Sequence, residues 1–390
     1  MNPISTPAKV VALTALMVTL AACGGGGRSA SGAGTLRLAL TDAPACGFEA
    51  VKVTLQSVRV HQSETATDQD SGWQTLSLNG DRQVDLLTLT NGVLMELGQT
   101  PLPAGRYQQL RLVLAENSTA KPLANAVKPI NNNEVALSTP SAQQSGLKLK
   151  VNMDVAPDQL ADYVIDFDAC RSVVKAGQSG QYLLKPVLSV LARSFTGLAG
   201  EVDPTSVGPN TSVALQSNGV TVRSSTPASN GSFLLQPVPA GNYSFVLQSP
   251  GRATTVVEAV TVGANAVARL HPVGTPLSPP VSAIGTLGGA VSATSLPDTR
   301  VRVLQALTNG PTVELINRPV DGSNGAYQYS VSTAAPQRAN YAAGGALSFM
   351  PDTAAAGRFS LEALFNEGTQ SASPLQLVED ESATVNFTQP

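Results

Sequence analysis

Hydrophobic and polar positions alternate along most of this chain. In Thr35–Leu40, Leu36, Leu38 and Leu40 fall on one side of an extended segment, because successive strand side chains point to opposite faces. Comparable strand-like runs occur at 50–55, 58–61, 84–89, 108–114, 147–151, 163–167 and 182–191. Turn residues separate them: Asp42-Ala43-Pro44, Asn91-Gly92, Pro103-Ala104-Gly105. Residues 115–145 are rich in Asn, Pro and Ser and predict loops around a short strand. The pattern predicts an all-β protein. One segment breaks it: Val10–Leu20 is continuously apolar, follows Lys9, and is far shorter than the roughly 20 residues of a spanning helix.

Two short motifs recur. Pro239-Ala240-Gly241-Asn242-Tyr243 echoes Pro103-Ala104-Gly105-Arg106-Tyr107, and Ala355-Ala356-Gly357-Arg358-Phe359 is a looser copy. Proline presets φ, glycine accepts a positive φ, and the aromatic two residues later enters the core at the start of a strand. Ser229-Asn230-Gly231-Ser232-Phe233 and Ser323-Asn324-Gly325-Ala326-Tyr327 form a second pair, predicting hairpin turns. A composition change near Thr196 and a Pro-rich stretch divide the chain into a first β domain at 34–195, a β-sandwich at 196–272, a Pro-rich linker at 273–283, and a diverged sandwich at 284–390. The order of the two turns resembles transthyretin-like domains of the carboxypeptidase regulatory type, which implies seven-stranded sandwiches used as spacers or binding modules. In 284–390 an insertion of about 20 residues separates the turns.

Leu20-Ala21-Ala22-Cys23 closes the apolar segment and resembles a lipobox. That resemblance implies removal of a signal peptide, residues 1–22, and a diacylglycerol thioether (with palmitate-type acylation) on Cys23. An ordinary secretory signal is the alternative. Each buried methylene contributes about 0.8 kcal/mol, so several acyl chains hold a protein on a bilayer far better than one. Gly24 rather than Asp after the cysteine implies sorting to the cell outer membrane. The Gly/Ser-rich tether at 23–33 spans roughly 18 Å as a coil.

Composition narrows the functional classes. Lys plus Arg is 24 against 27 for Asp plus Glu with no long run of either sign, so nucleic acid is not an expected partner. Three cysteines suit an exported chain. With Cys23 lipidated, Cys46 and Cys170 form an even pair for a disulfide, which would contribute about 5 kcal/mol in the chain-entropy picture. Two buried free thiols are the alternative.

Leu38-Ala39-Leu40-Thr41-Asp42-Ala43-Pro44, Val84-Asp85-Leu86-Leu87, Leu102–Tyr107 with Arg111-Leu112, Asp166-Phe167-Asp168 and Leu184-Lys185-Pro186-Val187 together resemble domain-of-unknown-function family 4382 (DUF4382), over about residues 34–193. The family is typical of exported lipoproteins and implies no reaction.

Candidate chemistry is sparse. Asp166 and Asp168 share a strand face and, with Asp42, form a candidate calcium site, because calcium takes carboxylate oxygens. Strand-end acids bonded to backbone amides or Arg171 are the alternative. Asp68-Gln69-Asp70-Ser71-Gly72 begins like a calcium loop but lacks its closing Glu. Trp73, the sole tryptophan, is a candidate ligand platform or a core residue. Ser172–Lys175 and Ser145–Lys148 fit Ser-x-x-Lys without the partner motifs of penicillin-recognising enzymes. His61 and His271 are the only histidines, and no nucleophile motif accompanies them. Low aromatic content, 4%, disfavours an extended sugar-stacking cleft. The sequence therefore predicts an anchored cell-envelope protein without catalysis, requiring no cofactor, whose partner is an unidentified envelope protein or glycan. A calcium- or glycan-binding module is the alternative, and an envelope hydrolase a second.

Overall fold

The computed structural model describes residues 32–42, 47–140, 145–177 and 180–390. The signal segment, Cys23, the tether through Ser31 and Cys46 lie outside the described residues. The protein is all-β, as the alternation predicts. Among the described residues no helix is long and apolar enough to cross a membrane.

The first module packs two sheets face to face. One has four strands in the order Leu188–Ala192, Leu160–Phe167, Ala33–Asp42, Met95–Pro103. The other is built around the long strand Phe48–His61, which pairs with Gln74–Asp85, Gly105–Leu114 and Ala126–Pro129. A register shift between Leu55 and Ser57 divides that strand, letting it change partners along its length. Leu36, Leu38 and Leu40 are fully buried against Val53, Leu55, Leu110 and Leu112, which fixes the strand register by hydrophobic burial. The other face of Ala33–Asp42 is not left to solvent: Ala39 and Thr41 are buried too.

The second and third modules share one topology. In the second, Gly197–Glu201 lies between Ser232–Leu235 and Val267–Arg269, the latter parallel. In the third, Ile284–Ser292 lies between Ala326–Ser332 and Ser382–Thr384, again parallel. Their opposing sheets run Val220–Ser225, Ser212–Ser217, Gly241–Gln248, Thr255–Val262 and Thr312–Pro319, Arg300–Ala306, Arg358–Leu364, Thr369–Ser371. The repeated turns mark equivalent places. Gly231 and Gly325 have φ of +86° and +69°. A Cβ there would come within 1.8 Å of the Val202 oxygen and 2.0 Å of the Val291 oxygen, so only glycine fits.

The glycine-aromatic motif works through its aromatic residue. Tyr107, Tyr243 and Phe359 are buried at the start of their strands, as expected. The two tyrosines also donate their hydroxyls back to the carbonyls of Pro103 and Pro239, at 3.0 and 2.7 Å. The expected positive φ holds at Gly105 and Gly357 but not at Gly241. There the room is needed instead for the Tyr243 ring, 3.2–3.4 Å from a would-be Cβ.

The insertion in the third module does not stay with that module. Gln337–Asn340 adds in parallel to Thr255–Val262, the edge of the second module's sheet, and Met350–Pro351 adds beyond it. Arg338 fastens the addition, bridging Glu258 and Asp352. The Pro-rich segment 273–283 is likewise laid along the second module. Leu277 donates to Glu201 and accepts from Asp203, while Pro280 accepts from Ala253.

Candidate functional site

The residues singled out in the first module fall at two places. At the first, Thr41 and Asp42 end one strand beside Asp166 and Phe167 of its parallel neighbour. Asp42 accepts the Ala169 amide at 3.0 Å, and Asp168 accepts the Arg171 amide and pairs with the Arg171 side chain. Both acids thus cap the helical turn Ala169–Ser172, where orphan amide donors need acceptors. Asp166 points elsewhere, into a salt bridge at 2.6 Å with Arg223 of the second module. The three carboxylates lie near one another in the fold but serve different partners. Among the described residues no group of three acidic, histidine or cysteine side chains converges on one point.

Arg223 is the residue that sequence reasoning missed. It sits in Val220–Ser225, its side chain 1% exposed, and also donates to the Thr41 hydroxyl at 3.0 Å. Thr41 in turn donates to the carbonyls of Leu89 and Val93. Burial pushes the Asp166 carboxyl above the usual carboxylate range, against the pull of Arg223. An arginine in an alternating strand reads as a solvent-facing residue, so its burial between modules has no sequence signal.

All three modules meet around this point. Asn91 of the first accepts from the Leu234 amide and donates its own amide to Ser225, both at 2.6 Å. Gln216 of the second and Glu314 of the third exchange two hydrogen bonds, side chain to backbone, at 2.6 and 2.8 Å. Asp321 of the third accepts the Gly177 amide of the first, and Lys185 pairs with Asp298. Between the modules runs a cleft of about 570 Å³, with walls from Asp168–Arg171, Gln248–Thr254, Glu314–Arg318 and Gln328–Ser332.

The second place is Trp73, which is half-buried rather than free. Guanidinium carbons of Arg59 and Arg111 lie 4.7 and 4.4 Å from its ring centre, within cation–π range. Its indole N–H donates to Thr67 at 2.8 Å. Arg111 pairs with Asp68 and donates to the Ala66 carbonyl. The acidic loop 62–72 is therefore folded over Trp73. Asp70 accepts the Thr67 amide, which holds its carboxyl below the usual range. His61 accepts from the Ser63 amide and contacts the Ser71 carbonyl. His271 is buried against Glu201 and Pro272 backbone. Ser172 spends its hydroxyl on the Asp168 carbonyl and the Val187 amide. Cys170 lies on the cleft wall; Cys46, its expected partner, and Cys23 lie outside the described residues.

Fold and site together define a multi-module β-sandwich protein whose distinctive chemistry lies at the junction of its modules. Within it, residues 33–186 match the family described as "Domain of unknown function (DUF4382)", which covers the first module and not the other two. No curated protein sequence matches the chain. Among solved structures, the chain is similar to the Bacillus anthracis TIE protein (10% identity, TM-score 0.16, 92% of this chain and 51% of that one). It thus spans about half that protein's length. BcpA, the major pilin subunit of Bacillus cereus, is similar at 10% identity and TM-score 0.16, over 91% of this chain and 99% of that one. A Streptococcal ancillary pilin follows at 13% identity and TM-score 0.13, over 90% and 98%. Similarity this low carries nothing about function.

Proposed function

We propose that the chain is a cell-envelope lipoprotein, tethered to the outer membrane through Cys23, that acts without catalysis by presenting its three modules as one body. The observation that carries the single body is the buried Arg223–Asp166–Thr41 contact between the first and second modules, while the tether rests on the Leu20-Ala21-Ala22-Cys23 motif. Modules joined only as spacers have no need to bury charge between them, since a buried charge must be matched by its partner to be tolerated. The seven strands of the second module's own chain support its likeness to transthyretin-like sandwiches. A disulfide between Cys170 and Cys46 is part of the proposal, since with Cys23 lipidated these are the two remaining cysteines of the chain. Both histidines and Ser172 are committed to backbone contacts, which supports a role other than hydrolysis.

Two measurements test the proposal together. Cells fed an alkyne-labelled fatty acid should label the wild-type chain in the outer-membrane fraction, and Cys23→Ala should abolish both label and fractionation. Cross-linking in intact cells should capture an envelope partner with the intact chain and lose it when Arg223 is replaced. A soluble, unlabelled wild-type chain, or capture indifferent to Arg223, refutes it.

A further inference from the structure

The cleft at the three-module junction holds a cation with no counterion among the described residues. Arg318, on the edge strand Thr312–Pro319, faces the same side as Val301 across the ladder, toward the gap between the two sheets of the third module. Its guanidinium makes no hydrogen bond or ion pair with any described residue; the ionisable neighbour that bears on it is the Tyr329 phenol. The acids nearby are already occupied. Glu314 is held by Arg302, Thr221 and Asn317, and Asp168 by Arg171. A second cation on the wall, Arg252, donates to the backbone carbonyls of Pro279 and Thr205 and pairs with no acid among the described residues. Arg318 is partly buried, and a guanidinium without an anion in such surroundings is costly, since arginine cannot escape by losing its proton. Burial accordingly draws its pKa downward.

The rest of the wall indicates what the anion is attached to. Ser212, Gln328 and Ser330 offer hydroxyls and an amide, and Asn317 its carboxamide oxygen, with Tyr329 the single aromatic of the wall. About 570 Å³ is the size of a small-molecule site. A planar guanidinium matches a carboxylate through two parallel hydrogen bonds.

We propose that this junction cleft binds a small hydroxylated carboxylate of the acidic-sugar class, with Arg318 as the group that receives the carboxylate. The inference stands independently of membrane anchoring, because every residue it uses belongs to the folded modules.

The test uses the full mature chain purified in detergent, with D-glucuronate as probe and D-glucose as its neutral counterpart. Saturation-transfer NMR and isothermal titration should detect glucuronate and find glucose at least tenfold weaker. Arg318→Met and Arg318→Gln should each weaken glucuronate at least tenfold. Their melting temperatures without ligand should match wild type, because the side chain each replaces makes no hydrogen bond or ion pair with any described residue. Equal binding of glucose and glucuronate overturns the proposal, as does glucuronate binding that survives Arg318→Met. A lowered melting temperature for both variants also overturns it, since Arg318 would then be a structural cation.

Discussion

Removing either member of the Arg223–Asp166 pair should destabilise the junction, but by unequal amounts. At 2.6 Å the pair attracts with about 6 kcal/mol for an effective dielectric of about 20, and desolvation of both ions offsets much of it. Deleting one partner of such a pair costs about 3–5 kcal/mol, because the survivor is buried alone. The survivors differ in their escape. In Asp166→Ala the Arg223 guanidinium, 1% exposed, cannot deprotonate and keeps its charge. In Arg223→Met the Asp166 carboxyl, already pushed upward by burial, takes a proton and limits the loss. Asp166→Ala should therefore sit near the upper end of that range and Arg223→Met near or below the lower. The double variant should cost less than the sum by at least 2 kcal/mol, the coupling expected within a contacting network of this kind. The sign with pH follows from a raised carboxyl pKa. The penalty of Arg223→Met is present above that raised value, shrinks as pH falls through it, and is gone below about pH 3.8. Urea unfolding followed by Trp73 fluorescence, which reports on the first module alone, measures all three variants. Equal single-variant costs, or an additive double variant, would refute the reasoning.

Three further outcomes follow from the fold. Gly231→Ala places a methyl on the Val202 carbonyl at positive φ and should cost about 2–4 kcal/mol in calorimetry, whereas Gly251→Ala, with open space around its Cβ, should carry the positive-φ strain alone, about 1–2 kcal/mol. Deleting residues 337–351 uncovers the edge of Thr255–Val262, so light scattering should show concentration-dependent association that the full chain lacks. Asp352 is desolvated, which alone would raise its carboxyl, yet hydrogen bonds from Thr308 and Arg338 outweigh this and hold it below the usual range. Its contribution is present above about pH 3.8 and lost as pH falls through the lower folded value, so acid unfolding of Asp352→Asn should be less steep than that of wild type.

What the sequence discloses is local. Alternation at Leu36, Leu38 and Leu40 gives the strand and its buried face, and the paired turns at Gly231 and Gly325 mark a topology that two modules share. Each signal arises within a few residues, where the pleat or a steric contact acts. The site is legible only in part. Asp42 and Asp168 appear as strand-end acids, but their use as caps of one helical turn depends on where that turn lies. Trp73 has an exposed-loop signature, yet Arg59 reaches it across its own hairpin and Arg111 from a strand further along the chain. The inter-module contacts leave no trace at all. Arg223 and Arg318 carry no period or motif to separate them from surface arginines, and Gln337–Asn340 looks like an insertion because its partner strand belongs to the preceding module.

Small-angle scattering of the folded modules tests most directly whether they form one body. For about 360 residues a single compact body has a radius of gyration near 21 Å. The mutual contacts of all three modules predict a value close to that limit, with a bell-shaped Kratky curve that Asp166→Ala broadens. A radius above about 30 Å with a rising Kratky tail, unchanged by Asp166→Ala, would mean that the modules move as separate beads, and would contradict the account.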